Sequence, residues 1–400
     1  MHPLARLDLR YIWHPFTQMR DWLKREPIVI VSGRGAVLRD VHGRQYIDAN
    51  SSIWTNLHGH NHPVLNSAIQ KQLKRIAHSS ALGLANEPAS ILAQQLVALA
   101  NAGSRGPSRN TQAGVRCGLT RVFYSDDGST AMEVALKLAY EFSRRSGKCK
   151  KPRFLTLSNA YHGDTIGAVS LGRINLFRRT WEGLLFSVDE AMAPYCYRCR
   201  YNRAKPERAD ARNYRKCSWE CMESLEKLYI RQKKRGEPYA GFVFEPLIQG
   251  AAGMIPQPSG WLARAAAMAR EYGSLLIADE VMTGFGRTGT GGLSNPGKGG
   301  EKSAPGFPSQ PLLFACQHEG VKPDLMAVAK GMTGGYLPMA ATLTTTEIFE
   351  AFLGEYAEFK TFFHGHSYTA NQLGAAAALA NIKLLQRPAC HQSLSLIHIS

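Results

Sequence analysis

Five short apolar runs, alternating with segments of helical period, constrain this chain more than any other feature. The runs cover residues 121–125, 153–157, 241–247, 274–281 and 324–329. Their near-continuous apolar character marks strands covered on both faces, as in a parallel sheet. Helical patterns fall at 63–77, 87–100, 130–145, 259–272 and 371–386. Strands and helices in alternation define an α/β architecture. Residues 27–50 differ. They predict short strands around a turn at Asp40-Val41-His42-Gly43, in a small N-terminal α+β piece.

Composition excludes whole classes. The 400 residues contain no uninterrupted apolar stretch of the roughly 18 that a membrane-spanning helix requires, so no membrane partner is expected. Met1-His2-Pro3-Leu4-Ala5-Arg6 lacks the apolar core of a secretory leader. Eight cysteines are too sparse for a disulfide scaffold, which points to reduced thiols and a cytoplasmic location. A net charge of +17 raises the question of nucleic acid. Residues 198–235 hold 13 Lys and Arg against five Asp and Glu, with no RNA- or DNA-binding motif. The charge therefore reads as one basic surface insertion, and no nucleic-acid partner is expected. Segments 102–118, 191–223 and 289–311 read as loops or insertions. Residues 388–400 continue no pattern and are expected to be an unstructured tail, an artefact of sequence assembly.

Several apolar runs end in a polar residue that a sheet core does not need. Ser274–Ala278 delivers Asp279, a carboxylate where ligands of open α/β sheets sit. Such a buried carboxylate needs a cationic partner, and a protonated ring nitrogen is one. Capping of the next loop is the plainer alternative. Lys330 follows a second apolar strand and precedes glycine, placing an amine able to form a Schiff base; a solvated lysine is the alternative. Tyr124–Glu133 runs from strand to helix through Gly128, Ser129 and Thr130. Thr130 with Glu133 fits a capping box, and a helix N-terminus binds phosphate. Tyr161 and His162 follow the 153–157 run, and Glu245 lies near the end of the third, at 241–247. The loop Phe363–Asn371 opens a helix and offers a second phosphate contact.

Taken together and in this order, these segments resemble the fold-type I pyridoxal 5'-phosphate (PLP) enzymes, and among them the class III aminotransferases. The resemblance runs from about residue 10 to residue 387 and is most specific at Asp279–Gly289 and Lys330-Gly331. Tyr11–Met19, Asp48–Trp54 and Leu57–Pro63 are similar to the biotin-pathway branch of that family.

The resemblance implies a large PLP-binding domain over 61–387, with a mainly parallel seven-stranded sheet flanked by helices. Residues 1–60 would belong to the small domain and the substrate pocket. Lys330 would hold PLP and shuttle a proton, Asp279 would pair with the pyridine nitrogen, and Tyr161 would stack on the ring. Gly128 and Ser129 would bind the phosphate. Ser367 would reach the phosphate of the partner subunit's cofactor, which implies a homodimer. Phe16, Trp54, Tyr161, Lys330 and Gly365 would line the substrate pocket. The implied substrate is 8-amino-7-oxononanoate, with S-adenosylmethionine or lysine as amino donor. Another class III ω-aminotransferase, or a catalytically impaired fragment, is the alternative. The family continues into a C-terminal small domain that supplies an Arg for the substrate carboxylate, a role no residue of this sequence takes.

Cys196-x2-Cys199 and Cys217-x3-Cys221 have a spacing near that of a four-thiolate zinc site, though the x3 pair departs from it. Four free thiols are the alternative, and no metal site is assigned.

Overall fold

The computed structural model describes residues 1–102, 118–205, 212–213, 215–289, 312–387 and 390. The insertions expected at 102–118 and 289–311 and the tail expected at 388–400 lie almost wholly outside these residues. Among the described residues, seven strands build the main sheet: β1 (Leu119–Ser125), β2 (Phe154–Leu157), β3 (Asp189–Ala191), β4 (Gly241–Phe244), β5 (Leu275–Asp279), β6 (Leu325–Val328) and β7 (Ala340–Thr345). Their order is β1-β7-β6-β5-β4-β2-β3. Only β7 runs against the others, antiparallel to both β1 and β6. The remaining neighbours pair in parallel.

All five expected strands are present within a few residues. The sequence did not announce β3 and β7. Strand β3 has only three residues. Strand β7 reads Ala-Ala-Thr-Leu-Thr-Thr, polar enough for a surface, yet every residue is buried. Its hydroxyls find backbone acceptors: Thr342 Oγ1 donates to Ala131 O at 2.7 Å and Thr344 Oγ1 to Asp324 O at 3.5 Å. A buried hydroxyl is tolerated when it is paired in this way.

The helices around the sheet are α1 (Pro63–Leu73), α2 (Glu87–Ala100), α3 (Gly128–Arg145), α4 (Glu220–Lys234), α5 (Trp261–Glu271) and α6 (Gln372–Leu385), with α1 packed on α6. Alternate side chains along each strand serve the two faces. Leu275, Ile277, Leu325 and Ala327 meet Ala131, Ala135, Leu138 and Phe142 of α3. Leu276 and Ala278 meet Leu225 of α4 and Trp261 and Ala265 of α5. Met326 and Val328 meet Leu92 and Leu96 of α2 and Ala378 and Ile382 of α6. Three layers result, and each fully buried large side chain contributes about 1.5–3 kcal/mol.

Two expectations need correction. The basic stretch 198–235 is not all surface insertion. Its second half is α4, whose Leu225 and Tyr229 are buried in the core while Arg231 reaches out to Asp189. On α4 the charges sit on one face and the apolar side chains on the other. The capping box of α3 is also displaced. Asp127 is the N-cap and exchanges bonds with Thr130, Oδ1 accepting from Thr130 N at 2.9 Å. Glu133 points instead to the β2–β3 connection, where it accepts from Thr165 Oγ1 and Ala168 N.

The N-terminal piece is as expected. Three antiparallel strands, Ile30–Arg34, Val37–Asp40 and Gln45–Ile47, turn through Asp40–Gly43. The Asp40 carboxylate holds the turn, accepting from His42 N and Arg44 N at 2.9 Å each.

Candidate active site

Strands β1, β2, β4, β5 and β6 all direct their C-terminal ends to one cavity of about 760 Å3. This is the crevice that open α/β sheets offer to ligands. Asp279 is the last residue of β5, Glu245 follows β4, and Lys330 follows β6 by two residues. Tyr161 and His162 come from the loop after β2, and Asp127–Ser129 from the turn after β1. Asp279, Lys330, Tyr161, Gly128, Ser129 and Trp54 all line the cavity.

Asp279 is 6% exposed. Its Oδ1 accepts from Val281 N at 3.0 Å, as a loop cap would, but Oδ2 lies 2.7 Å from His162 Nδ1. His162 is itself buried, and its Nε2 has no hydrogen-bond partner among the described residues. Below them Glu245 accepts from Tyr161 N at 3.2 Å and Gly250 N at 2.8 Å. Burial, seconded by the nearby Asp279, pushes the Glu245 carboxyl up to about 7, against the pull of His162 and the two N–H donors.

Lys330 is not a solvated lysine. Burial lowers its pKa, with Asp279 and Glu245 opposing that shift. Its Nζ stands 4.9 Å from the centre of the Trp54 ring. A partly desolvated amine keeps more of its neutral, nucleophilic form near neutrality.

The opposite end of the cavity suits an anion. The first-turn N–H groups of α3 have no intrahelical acceptor, and the helix dipole favours negative charge there. Gly128 is required by close approach: a Cβ would fall 2.5 Å from Val281 Cγ1. Ser129 Oγ lies 2.9 Å from Thr165 Oγ1 and accepts from Thr165 N at 3.0 Å.

Three expected residues are not brought to the cavity within one chain. Phe16 is 74% exposed and rests on Phe177 at 5.5 Å, which in turn meets Tyr161 at 5.4 Å. Gly365 and Ser367 are exposed, and Ser367 O bonds to His78 Nε2 at 2.9 Å. Conversely, Tyr336 and Met339 on the β6–β7 connection line the cavity without having been singled out. The adjacent Gly334-Gly335, both at positive φ, was the available signal.

Among the described residues, no group of three or more His, Cys, Asp or Glu side chains is placed to hold a metal ion. Cys196 is pushed up to about 12, chiefly by burial and then by Cys221, Cys217 and Cys199. No described helix is long and apolar enough to cross a membrane.

A half-buried lysine, a buried aspartate at the next strand end and an anion-binding helix terminus fit PLP: Lys330 would hold it, Asp279 would meet its ring nitrogen and the start of α3 would take its phosphate. The chain belongs to the class III aminotransferases: that family's profile, Aminotransferase class-III, matches residues 19–291 and 306–398. These are PLP enzymes. Within the family, the chain is similar to adenosylmethionine-8-amino-7-oxononanoate aminotransferases. It is 45% identical to the one from Geobacter sulfurreducens, over 95% of this chain and 73% of that protein. It is also 45% identical to the one from Nitratidesulfovibrio vulgaris, over 96% of this chain and 62% of that protein. The crystal structure of the Methanocaldococcus jannaschii enzyme of that name superposes with a TM-score of 0.79 at 35% identity, covering 98% of this chain and 76% of its own.

Proposed function

We propose that the chain transfers an amino group to 8-amino-7-oxononanoate, giving 7,8-diaminononanoate in biotin biosynthesis, with S-adenosylmethionine as donor. The names of the Geobacter and Nitratidesulfovibrio relatives support both substrates. The observation that carries the chemistry is the partly desolvated Lys330 amine sharing one cavity with Asp279.

When bound, PLP supplies an electron sink for the carbon that loses its proton. Asp279, oriented by His162, would meet the ring nitrogen and favour its protonated form. Lys330, its charge disfavoured by burial, takes the proton from the substrate carbon and returns it at the neighbouring position. Tyr161 covers the ring, with its hydroxyl fixed by Asp164 at 2.8 Å. Gly128 and Ser129 bind the phosphate at the start of α3. Trp54 forms an apolar wall beside Lys330 that suits a methylene chain. Phe16, Gly365 and Ser367, exposed within one chain, would complete the pocket only in a homodimer, with Ser367 at the cofactor of the partner subunit. The enzyme works in the cytoplasm.

Reconstitution with PLP, followed by S-adenosylmethionine and lysine in separate cuvettes, tests the reading. Loss of the visible absorbance of the bound cofactor with S-adenosylmethionine, and its return on adding 8-amino-7-oxononanoate, is expected. Bleaching by lysine alone would replace the donor. Turnover of simple ω-amines without 8-amino-7-oxononanoate would overturn the substrate.

A further inference from the structure

We propose that Asn381 is the positioning residue for Lys330: it clamps the turn that carries the lysine and registers it against the Trp54 wall. This rests on Lys330 being the lysine that holds the cofactor.

The Lys330 backbone adopts φ +40, a region that favours glycine. Lys330 opens a short 3-10 turn to Thr333, followed by Gly334 at φ +67 and Gly335 at φ +86. A backbone of this kind persists only where its surroundings hold it.

Asn381 does the holding from α6. It is fully buried among alanines and Ile382 on an otherwise apolar face. A buried amide there is unfavourable unless its bonds are made. All of them are. Nδ2 donates to Gly331 O at 2.8 Å and to Met332 O at 3.0 Å. Oδ1 lies 2.8 Å from His58 Nε2. Two carbonyls can only accept, so the amide has one orientation. Its oxygen must then accept, and His58 carries a proton on Nε2.

His58 belongs to the segment that bears Trp54, and this segment is tied to the lysine turn a second time. Tyr336 Oη donates to Gly59 O at 3.1 Å and accepts from His62 N. Asn381 thus joins the amine and the pocket wall that faces it through two hydrogen-bonded steps. Proton transfer is sensitive to such placement, since a displacement of about 1 Å can cost roughly 100-fold in rate.

The test uses PLP-loaded enzyme, with rates normalised to bound cofactor. Asn381→Ser is expected to slow the donor half-reaction by about 10- to 100-fold, with KM for the donor changed less than about threefold. The pH midpoint of the cofactor's visible absorbance is expected to shift with it. His58→Gln keeps a donor near the Nε2 position and is expected to retain nearly the wild-type rate, whereas His58→Leu falls between wild type and Asn381→Ser. The His58 pair keeps the question decidable if Asn381→Ser does not fold. Wild-type normalised rate and midpoint in Asn381→Ser, or equal rates in the two His58 variants, would overturn the proposal. Lys330→Ala is the separate control: unchanged visible absorbance and turnover there would remove the reading of Lys330 itself.

Discussion

His162 Nδ1 lies 2.7 Å from Asp279 Oδ2, with both side chains buried. The contact joins the loop after β2 to the end of β5, across the intervening β4. A carboxylate only accepts, so Nδ1 carries the proton and fixes the rotamer of Asp279. Asp279→Asn is therefore expected to slow the donor half-reaction by about 100-fold or more, because it removes fixed negative charge at the ring nitrogen. His162→Phe keeps the charge but frees its orientation, and about a 10-fold loss is expected. Stopped-flow absorbance measures both, and wild-type rates in Asp279→Asn would contradict the assignment.

Glu245 makes stability depend on pH. Its carboxyl is raised from an ordinary 4.5 to about 7 in the folded chain, so the fold favours the protonated form. Stability is then greatest below pH 4.5 as far as this group is concerned, and falls as pH rises towards 7. The loss is on the order of 3 kcal/mol. Glu245→Gln sets an amide NH2 against one of two backbone N–H donors, which costs about 1–3 kcal/mol. The variant should be less stable than wild type at pH 5, and the gap should close by pH 8. Thermal melts across that range would show it; a constant gap would mean that Glu245 does not titrate there.

Gly128→Ala tests the anion end of the cavity. The new methyl would fall 2.5 Å from Val281 Cγ1, so the turn before α3 or the Val281 side chain must move. Overpacking of this kind costs about 1–3 kcal/mol. Weaker PLP binding is expected by equilibrium titration, with recovery in Gly128→Ala/Val281→Ala. No recovery in the double variant would place the effect in the backbone rather than in this contact.

Trp54→Ala removes the ring that stands 4.9 Å from Lys330 Nζ. The expected result is about a 10-fold rise in KM for 8-amino-7-oxononanoate, from roughly 1–3 kcal/mol of lost apolar contact. A fall in kcat at constant KM would instead mean that Trp54 serves the amine rather than the substrate chain.

The sequence alone determined the strand–helix alternation and most of the strand-end residues that share the cavity. Asp279, Lys330, Gly128 and Tyr161 were legible because each sits next to an apolar run or glycine turn, and such local patterns survive in one dimension. Strand β7 was not legible. Its threonines read as surface until Ala131 O and Asp324 O, distant in sequence, arrive as acceptors. The charged face of α4 hid its core face for a similar reason, since only packing against the sheet shows which side is buried. Tertiary structure alone joined His162 to Asp279 across 117 positions and Asn381 to the Lys330 turn across 50. An Asn within an alanine-rich helix carries no message until its partners are placed. Hydrogen bonds between buried groups far apart in the chain have no periodicity to announce them, and in this chain they hold the lysine and the aspartate in place.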